Sequence, residues 1–483
     1  MRMSKKIAII LVILLFIGVC VQTAVVVDYY SESFNLGFFK SSNDAGTYYK
    51  TLDDSIRDEF FKPYEVQVRF DRKTFLVGRE DNLFTNLWTD TQDVFKEVLS
   101  GELTQTYEMW DQLCDNPGVS VTFGSYFPVD YLEFMLGLEF NVELDIRMDK
   151  IMIIPGEEEM TVYLHTDDPY NYQIVLQPSG LFGYSNFSNM TELFTKDVDF
   201  ISESMIDFYK VAGNNPDAVW RNYVEPDIPI SYDLSYHYIP WIYVEIPDDV
   251  VTYITAAKSI ESNSRTEIMD NVSIDIKTRL LTKSEDLYKI HYDTFGNLFF
   301  TNQFNMYEID GDGWVNYKYT PGTDGDEKGS IGDAFINAYE TLSTISNLTP
   351  ESLGELFVSR IEENDTSYTF KFDYKYDSKV LAISDEPHAA IITTTATRTI
   401  EARVLPLVFR EMTEESQVEI PYVFDFSTNL TLNNISEIRL IEAYNIYIGY
   451  GTFSGKQNLI GLMWIFEKKS GEKEVYMLQR GKE

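Results

Sequence analysis

Cysteine is nearly absent from this chain: Cys20 and Cys114 are the only two in 483 residues. Cys20 lies in an apolar run near the N-terminus, so Cys114 stands alone in the remainder and no internal disulfide is available there. It reads as a buried apolar thiol. Histidine is almost as scarce, and His165, His237, His291 and His388 fall at spacings that no metal motif uses. The signatures H-E-x-x-H, G-x-S-x-G, the P-loop and the kinase set are all missing. Carboxylates are plentiful, but a glycosidase pair is defined by separation in space and cannot be read from sequence. Positive charge is short as well, with 39 Lys+Arg against 77 Asp+Glu and a net charge of −38. Such a surface repels nucleic acid and anionic lipid and attracts counter-cations, so nucleic acid is set aside as a partner.

One long hydrophobic run exists and no second of comparable length follows. Arg2, Lys5 and Lys6 precede an uncharged stretch of 21 residues, Ile7 to Val27. As a helix it would be about 31 Å long, which matches the hydrocarbon core of a bilayer. The basic residues on the short leading side place residues 1–6 in the cytoplasm and everything after Asp28 outside. The run exceeds a signal-peptide core, and Gln22 occupies the −3 position of a cleavage after Ala24, so an uncleaved anchor is expected. Without the three leading bases, the extracytoplasmic part carries 36 Lys+Arg against the same 77 acids, formally −41.

What remains is globular and strand-rich: 44% hydrophobic, with 33 Tyr and 32 Phe that favour pleated surfaces. Its length calls for several domains. A tail from Asp28 to about Thr47 leads into Lys62–Gly78, which reads as two strands around Asp71-Arg72. Leu83, Leu87, Val94, Val98 and Leu99 then recur at helical spacing, with Trp88 and Phe95 beside them. A strand VSVTFG and a helix FPVDYLEFMLGL opened by Pro128 follow, then a hairpin turning at Pro155-Gly156. The second half holds an echo. SRTEIMDNV and the strands to EI309 read as helix, strand, turn at Gly296-Asn297, strand; ESLGELFVSRIEEN and the residues to Val404 read as helix followed by strands. NIYIGYGTF, LIGLMWIFEKK and EVYMLQ suggest a closing antiparallel meander.

The stretch Glu308–Gly329 gathers Asp310, Asp312, Asp324 and Asp326 around glycines, as calcium loops often do. Counted from Asp310, however, position 5 is Trp314, position 6 is Val315 and position 12 is Pro321, so the ligand pattern fails. Asp310-Gly311 and Asp312-Gly313 read instead as turn dipeptides between the strands FNMYEI and WVNYKY. Asp310 and Asp312 remain the residues that would hold a divalent cation if the loop took one. Seven N-x-S/T sequons, at Asn186, Asn189, Asn271, Asn347, Asn364, Asn429 and Asn434, carry little weight in a chain this rich in Asn, Ser and Thr.

The order of segments is similar to a known family. An anchor, FFKPYEVQVRF, the Trp88 helix, VSVTFGSYFPVDYLEFML and IMIIPGEEEMTVYL resemble the N-terminal region of YycH. HYIPWIYVEI, GSIGDAFINAYETL, FKFDYKYDSKVLAI, RTIEARVLPLVF and IYIGYGTF…LIGLMWIFEKK continue the likeness, with Met463 before Trp464 where the family often has proline. YycH proteins are membrane-anchored extracytoplasmic regulators of the WalK (YycG) sensor histidine kinase of Gram-positive bacteria. The resemblance implies an α+β fold: a single N-terminal transmembrane helix and a three-domain ectodomain of antiparallel sheets with packed helices, the last two domains alike and similar to YycI. Its expected parts are 28–229, 230–347 and 348–483. It implies no cofactor and no catalysis, with a WalK-like kinase and a YycI-like protein as partners. The anchor, including Ile7, Leu11, Leu14, Gly18 and Val27, would form part of the regulatory interface. An acidic cell-surface structural or adhesive protein binding divalent cations is the alternative, and an anchored hydrolase is a third class.

Overall fold

The computed structural model describes residues 60–477 apart from short connections and two longer stretches, 190–236 and 419–444. The hydrophobic run, the tail behind it, Cys20 and Cys114 lie outside the described residues.

The N-terminal part is built on one sheet. β1 (Glu65–Phe70) and β2 (Lys73–Leu76) pair antiparallel as expected, with Phe70 opposite Lys73; Asp71-Arg72 lie outside the described residues. The apolar stripe that predicts a helix becomes α1 (Asn82–Ser100), which buries Leu87, Trp88, Val94, Phe95, Val98 and Leu99. β3 (Thr104–Thr106), the short α2 (Trp110–Leu113) and β4 (Gly118–Pro128) follow. β4 runs on through Pro128, so α3 (Val129–Leu136) begins one residue later than the proline; Pro128 caps it in extended conformation, as a fixed φ with no N–H permits. Gly137 ends it at φ 70°, a left-handed conformation that glycine adopts without strain. β5 (Arg147–Pro155), β6 (Met160–Thr166) and β7 (Asn171–Leu176) complete an antiparallel sheet of order β2-β1-β4-β5-β6-β7-β3.

After β8 (His237–Glu245), α4 (Asp248–Lys258) and α5 (Arg265–Leu280), the chain makes a meander of β9 (Lys289–Tyr292), β10 (Leu298–Thr301), β11 (Asn305–Ile309) and β12 (Val315–Tyr319). α6 (Ile331–Ser346) opens a second such unit, with β13 (Glu355–Glu363), β14 (Tyr368–Tyr376), a short β15 (Lys379–Val380), β16 (Ala390–Thr394) and β17 (Thr399–Val404). The echo in the sequence is therefore helix plus antiparallel meander in each case, but one element is corrected. Within ESLGELFVSRIEEN the residues Glu355–Glu363 form strand β13, not a helix. Its buried residues Leu356, Val358 and Ile361 are spaced two and then three apart because the register slips by one at Ser359. That extra residue counterfeits a helical period in what is a bulged strand.

The two meanders join through their last strands. β12 and β17 pair antiparallel from Val315↔Val404 to Lys318↔Glu401, giving one nine-stranded sheet of order β13-β14-β16-β17-β12-β11-β10-β9, with β15 beside β14. The expected division at 347/348 falls between α6 and β13, within the second helix-and-meander unit. Alternation gives the sheet two unlike faces. Inward lie Leu298, Phe300, Tyr307, Ile309, Val315, Ala402, Val404, Ile392, Phe370 and Phe372, all buried. Outward, one rung runs His291–Phe299–Glu308–Asn316–Arg403–Ile391 and the next Lys289–Thr301–Met306–Lys318–Glu401–Thr393. None of these twelve is fully buried.

α6 ties the inner face to the N-terminal part. Its Phe335, fully buried, meets Phe60, Tyr131 and Phe134 from one side and Phe370 from the other, at centroid distances of 5.5 to 6.5 Å. Burial of one such ring is worth roughly 2–3 kcal/mol. Ser330 caps the helix by accepting from the Asp333 N–H. β18 (Val408–Val418), β19 (Asn445–Phe453), β20 (Lys456–Glu467) and β21 (Lys473–Met477) form a third sheet with β8, of order β18-β8-β20-β19 with β21 on β20. β19, β20 and β21 are the closing meander that the sequence suggests.

Candidate functional site

The acidic loop has a twin. In the β11–β12 turn the Asp310 carboxylate accepts from the N–H groups of Asp312 and Trp314, while Gly313 donates to the Asp310 carbonyl and stands at φ 91°. In the β9–β10 turn Asp293 accepts in the same way from Phe295 and Asn297, and Gly296 donates to the Asp293 carbonyl at φ 92°. The second loop reads DTFGN and makes the same structure with one acid. The aspartate thus supplies turn chemistry, accepting from amides within its own loop. Lys258 also reaches in, its ammonium donating to the Gly311 carbonyl at 2.8 Å. Asp312 is exposed. Between the two turns, burial together with Asp310 and Asp293 raises the Glu308 carboxyl above its ordinary value, against an opposing hydrogen bond from Asn316. No group of three or more His, Cys, Asp or Glu poised to hold a metal occurs among the described residues.

Ile7, Leu11, Leu14, Gly18 and Val27 lie outside the described residues. Among the described residues no helix is long and apolar enough to cross a membrane.

Two histidines gain acidic partners that no local motif announces. His165 on β6 meets Asp149 of β5, Nδ1 to Oδ1 at 2.5 Å, because a one-residue bulge at Asp149 brings the carboxylate alongside the ring. Asp149 is buried and the His165 side chain is 14% exposed. The ring lies against Trp110 of α2 at 5.0 Å and Tyr126 of β4 at 5.9 Å. With Nδ1 held by a carboxylate, Nε2 is the nitrogen left to face anything else. Nearby, burial and then Glu108, by charge and hydrogen bond, raise the Tyr163 hydroxyl above its ordinary value.

The second cluster, on β13, β14 and the residues before β16, gathers Ser359, Asp373 and His388. These are the residue types of a hydrolytic triad, but the geometry is wrong for one. Ser359 Oγ and Asp373 Oδ1 both approach the same ring nitrogen, His388 Nδ1, at 3.2 Å. A relay needs serine and carboxylate on opposite nitrogens. Ser359 Oγ also donates to the Lys371 carbonyl, and His388 Nε2 is buried with no hydrogen-bond partner. Glu362, three residues along β13 from Ser359, is pulled upward by burial but held below its usual value by the Lys371 hydrogen bond and charge, Arg360 and His388. His291, by contrast, is exposed and shares a 2.6 Å hydrogen bond with Thr301. His237 lies on β8.

No protein-family model matches the chain, and no curated protein matches it in sequence. A solved structure does: the crystal structure of YycH from Bacillus subtilis aligns with 88% of this chain and 97% of its own, with a TM-score of 0.51 and 9% identity. At that identity the likeness is one of fold, a distant YycH-like arrangement of antiparallel sheets and helices.

Proposed function

We propose that the chain is a membrane-anchored, extracytoplasmic regulatory protein that binds and modulates a WalK (YycG)-type sensor histidine kinase, together with a YycI-like protein. The observation that carries this reading is the YycH-like fold along nearly the whole chain, joined to the ordered sequence resemblance and the apolar run Ile7–Val27 behind three basic residues. In this reading residues 1–6 are cytoplasmic, the run spans the membrane once, and Ile7, Leu11, Leu14, Gly18 and Val27 meet the kinase's own helices. In this reading the protein acts by binding and catalyses nothing. Because a binding protein can shift a kinase only through unequal affinity for its two states, its effect follows from which state it holds more tightly.

Mild detergent extraction tests this. The kinase is expected to co-purify with the full chain and to be lost when Ile7–Val27 is replaced by an unrelated membrane helix. Recovery of the chain without any kinase after membrane cross-linking would sink the reading.

A further inference from the structure

We propose that Glu133 is a proton-operated latch: protonated, it seals the joint at which α3 meets α6, and ionised, it loosens that joint. Such a latch goes beyond the binding reading and works whether or not a kinase is the partner.

The joint is where the N-terminal part meets the inner face of the nine-stranded sheet. α3 packs on α1, β4 and α6, and α6 packs in turn on β14, β16 and β17. Tyr131 and Phe134 of α3 both meet the Phe335 ring, and Tyr131 also reaches Phe370 of β14. The two helices approach closely because Gly332 of α6 has no side chain; a Cβ there would collide with the Phe134 ring. Glu133 directly precedes Phe134, and it is buried with Oε2 unpartnered. A neutral carboxyl is tolerated in such a place at modest cost. A carboxylate with neither counter-charge nor full hydrogen bonding is not, and the ion draws water in or forces the packing to open.

No counter-charge is at hand, because among the described residues the charges on neighbouring elements are engaged elsewhere. β4 carries no charged residue, and its Tyr126 stacks on His165. On α1, Lys96 pairs with Asp93, Asp90 accepts from the Leu181 N–H, and Glu97 is exposed. On α6, Asp333 accepts from the Ser330 hydroxyl, Tyr339 packs on Phe60, and Glu340 is exposed. β14 pairs Lys371 with Glu362 and Asp373 with His388, and sets Lys375 over the Phe357 ring. Arg147 donates to the Ile361 carbonyl, and Lys328 pairs with Glu363 beside Tyr368. The charge that does bear on Glu133 is Asp130, three residues earlier on the same helix and of the same sign. Burial first, and Asp130 second, move the carboxyl from about 4.5 to about 7. The joint is therefore tightest when Glu133 is protonated. Closure weakens by up to about tenfold per pH unit as pH rises from about 4.5 through 7, and above that it weakens no further.

Hydrogen exchange read by mass spectrometry on the full chain in detergent tests the latch, with rates corrected for their intrinsic dependence on pH. In peptides from α3 and the first two turns of α6, protection should fall at least tenfold between pH 5 and 7.5 and then level off, while α4 and α5 hold theirs. E133Q keeps the shape and cannot ionise, so it should stay protected throughout. D130N removes the like charge, so its protection should level off at lower pH than the parent's. Protection independent of pH in the parent, an E133Q chain that opens as the parent does, or α4 and α5 opening in parallel overturns the proposal. So does D130N levelling off at the parent's pH.

Discussion

The Asp149–His165 pair in the N-terminal sheet and the Asp373–His388 pair in the nine-stranded sheet are assembled from the same parts. Each sets a histidine against a buried aspartate beside a one-residue bulge, Asp149 itself in one case and Ser359 in the other. They end differently because of what covers them. His165 keeps a side-chain edge in water, between Trp110 and Tyr126. His388 is 3% exposed, with its second nitrogen unpartnered in the protein interior. An unsatisfied buried nitrogen costs stability wherever it occurs, so the second cluster is held in place by its surroundings, whereas water can satisfy the first.

The comparison makes graded predictions. His388→Ala leaves Asp373 buried without its ring partner, and urea unfolding should show a loss of about 3 kcal/mol. His165→Ala should cost about half as much, roughly 1–2 kcal/mol, because solvent can reach the vacated Asp149. Equal losses would erase the distinction. Changing pH sharpens it, since the two regions carry carboxylates shifted in opposite directions. Glu133 of α3 is 1% exposed with Oε2 unpartnered, and burial, then Asp130, raise its carboxyl to about 7. A raised acid favours the folded state while protonated, so its contribution is complete below the ordinary carboxylate range and is lost as pH rises from about 4.5 through 7. Glu362 is held low, so its contribution is present above the ordinary value and is lost as pH falls below it. Accordingly E133Q should flatten the fall in melting temperature between pH 5 and 8, and E362Q should flatten the fall on the acid side; an unchanged slope in either refutes the assignment for that residue. The twin turns give the smallest effects. Asp293→Ala and Asp310→Ala should each cost about 1 kcal/mol and agree closely, as lost caps do. Asp312→Ala should shift the melting temperature by less than a degree, with or without millimolar calcium. A calcium-dependent stabilisation lost in Asp312→Ala would restore the metal reading of that loop.

What was legible in the sequence was local. The β1–β2 pairing, the stripe of α1, the turn at Pro155-Gly156 and the last meander each rest on residues a few positions apart, where pattern and turn chemistry speak directly. β13 was misread because Ser359 inserts one residue and shifts the apolar spacing from two to three. The joining of β12 to β17 has no local signature, because pairing between distant strands is decided by which faces must be buried. The histidine clusters were missed for a related reason. Counting back from Pro155-Gly156 does set His165 opposite Lys150, one residue from Asp149, but only the bulge turns that aspartate to the ring. Asp310 was legible as a turn residue, and its twin at Asp293 shows why: the pattern Asp-x-x-Gly repeats where the acidity does not.

The pairing of β12 with β17 bears on how the chain reaches this structure at all. Each meander, with its preceding helix, is made of neighbours in sequence and can condense early, since short loops close at little entropic cost. The seam between them unites Val315 with Val404, residues separated by the whole second unit. It must therefore close after both halves have formed. A chain that emerges progressively would carry β12 as an open edge until β17 arrived, and during that interval the edge is where a chaperone, or another copy of the same chain, would find its handhold.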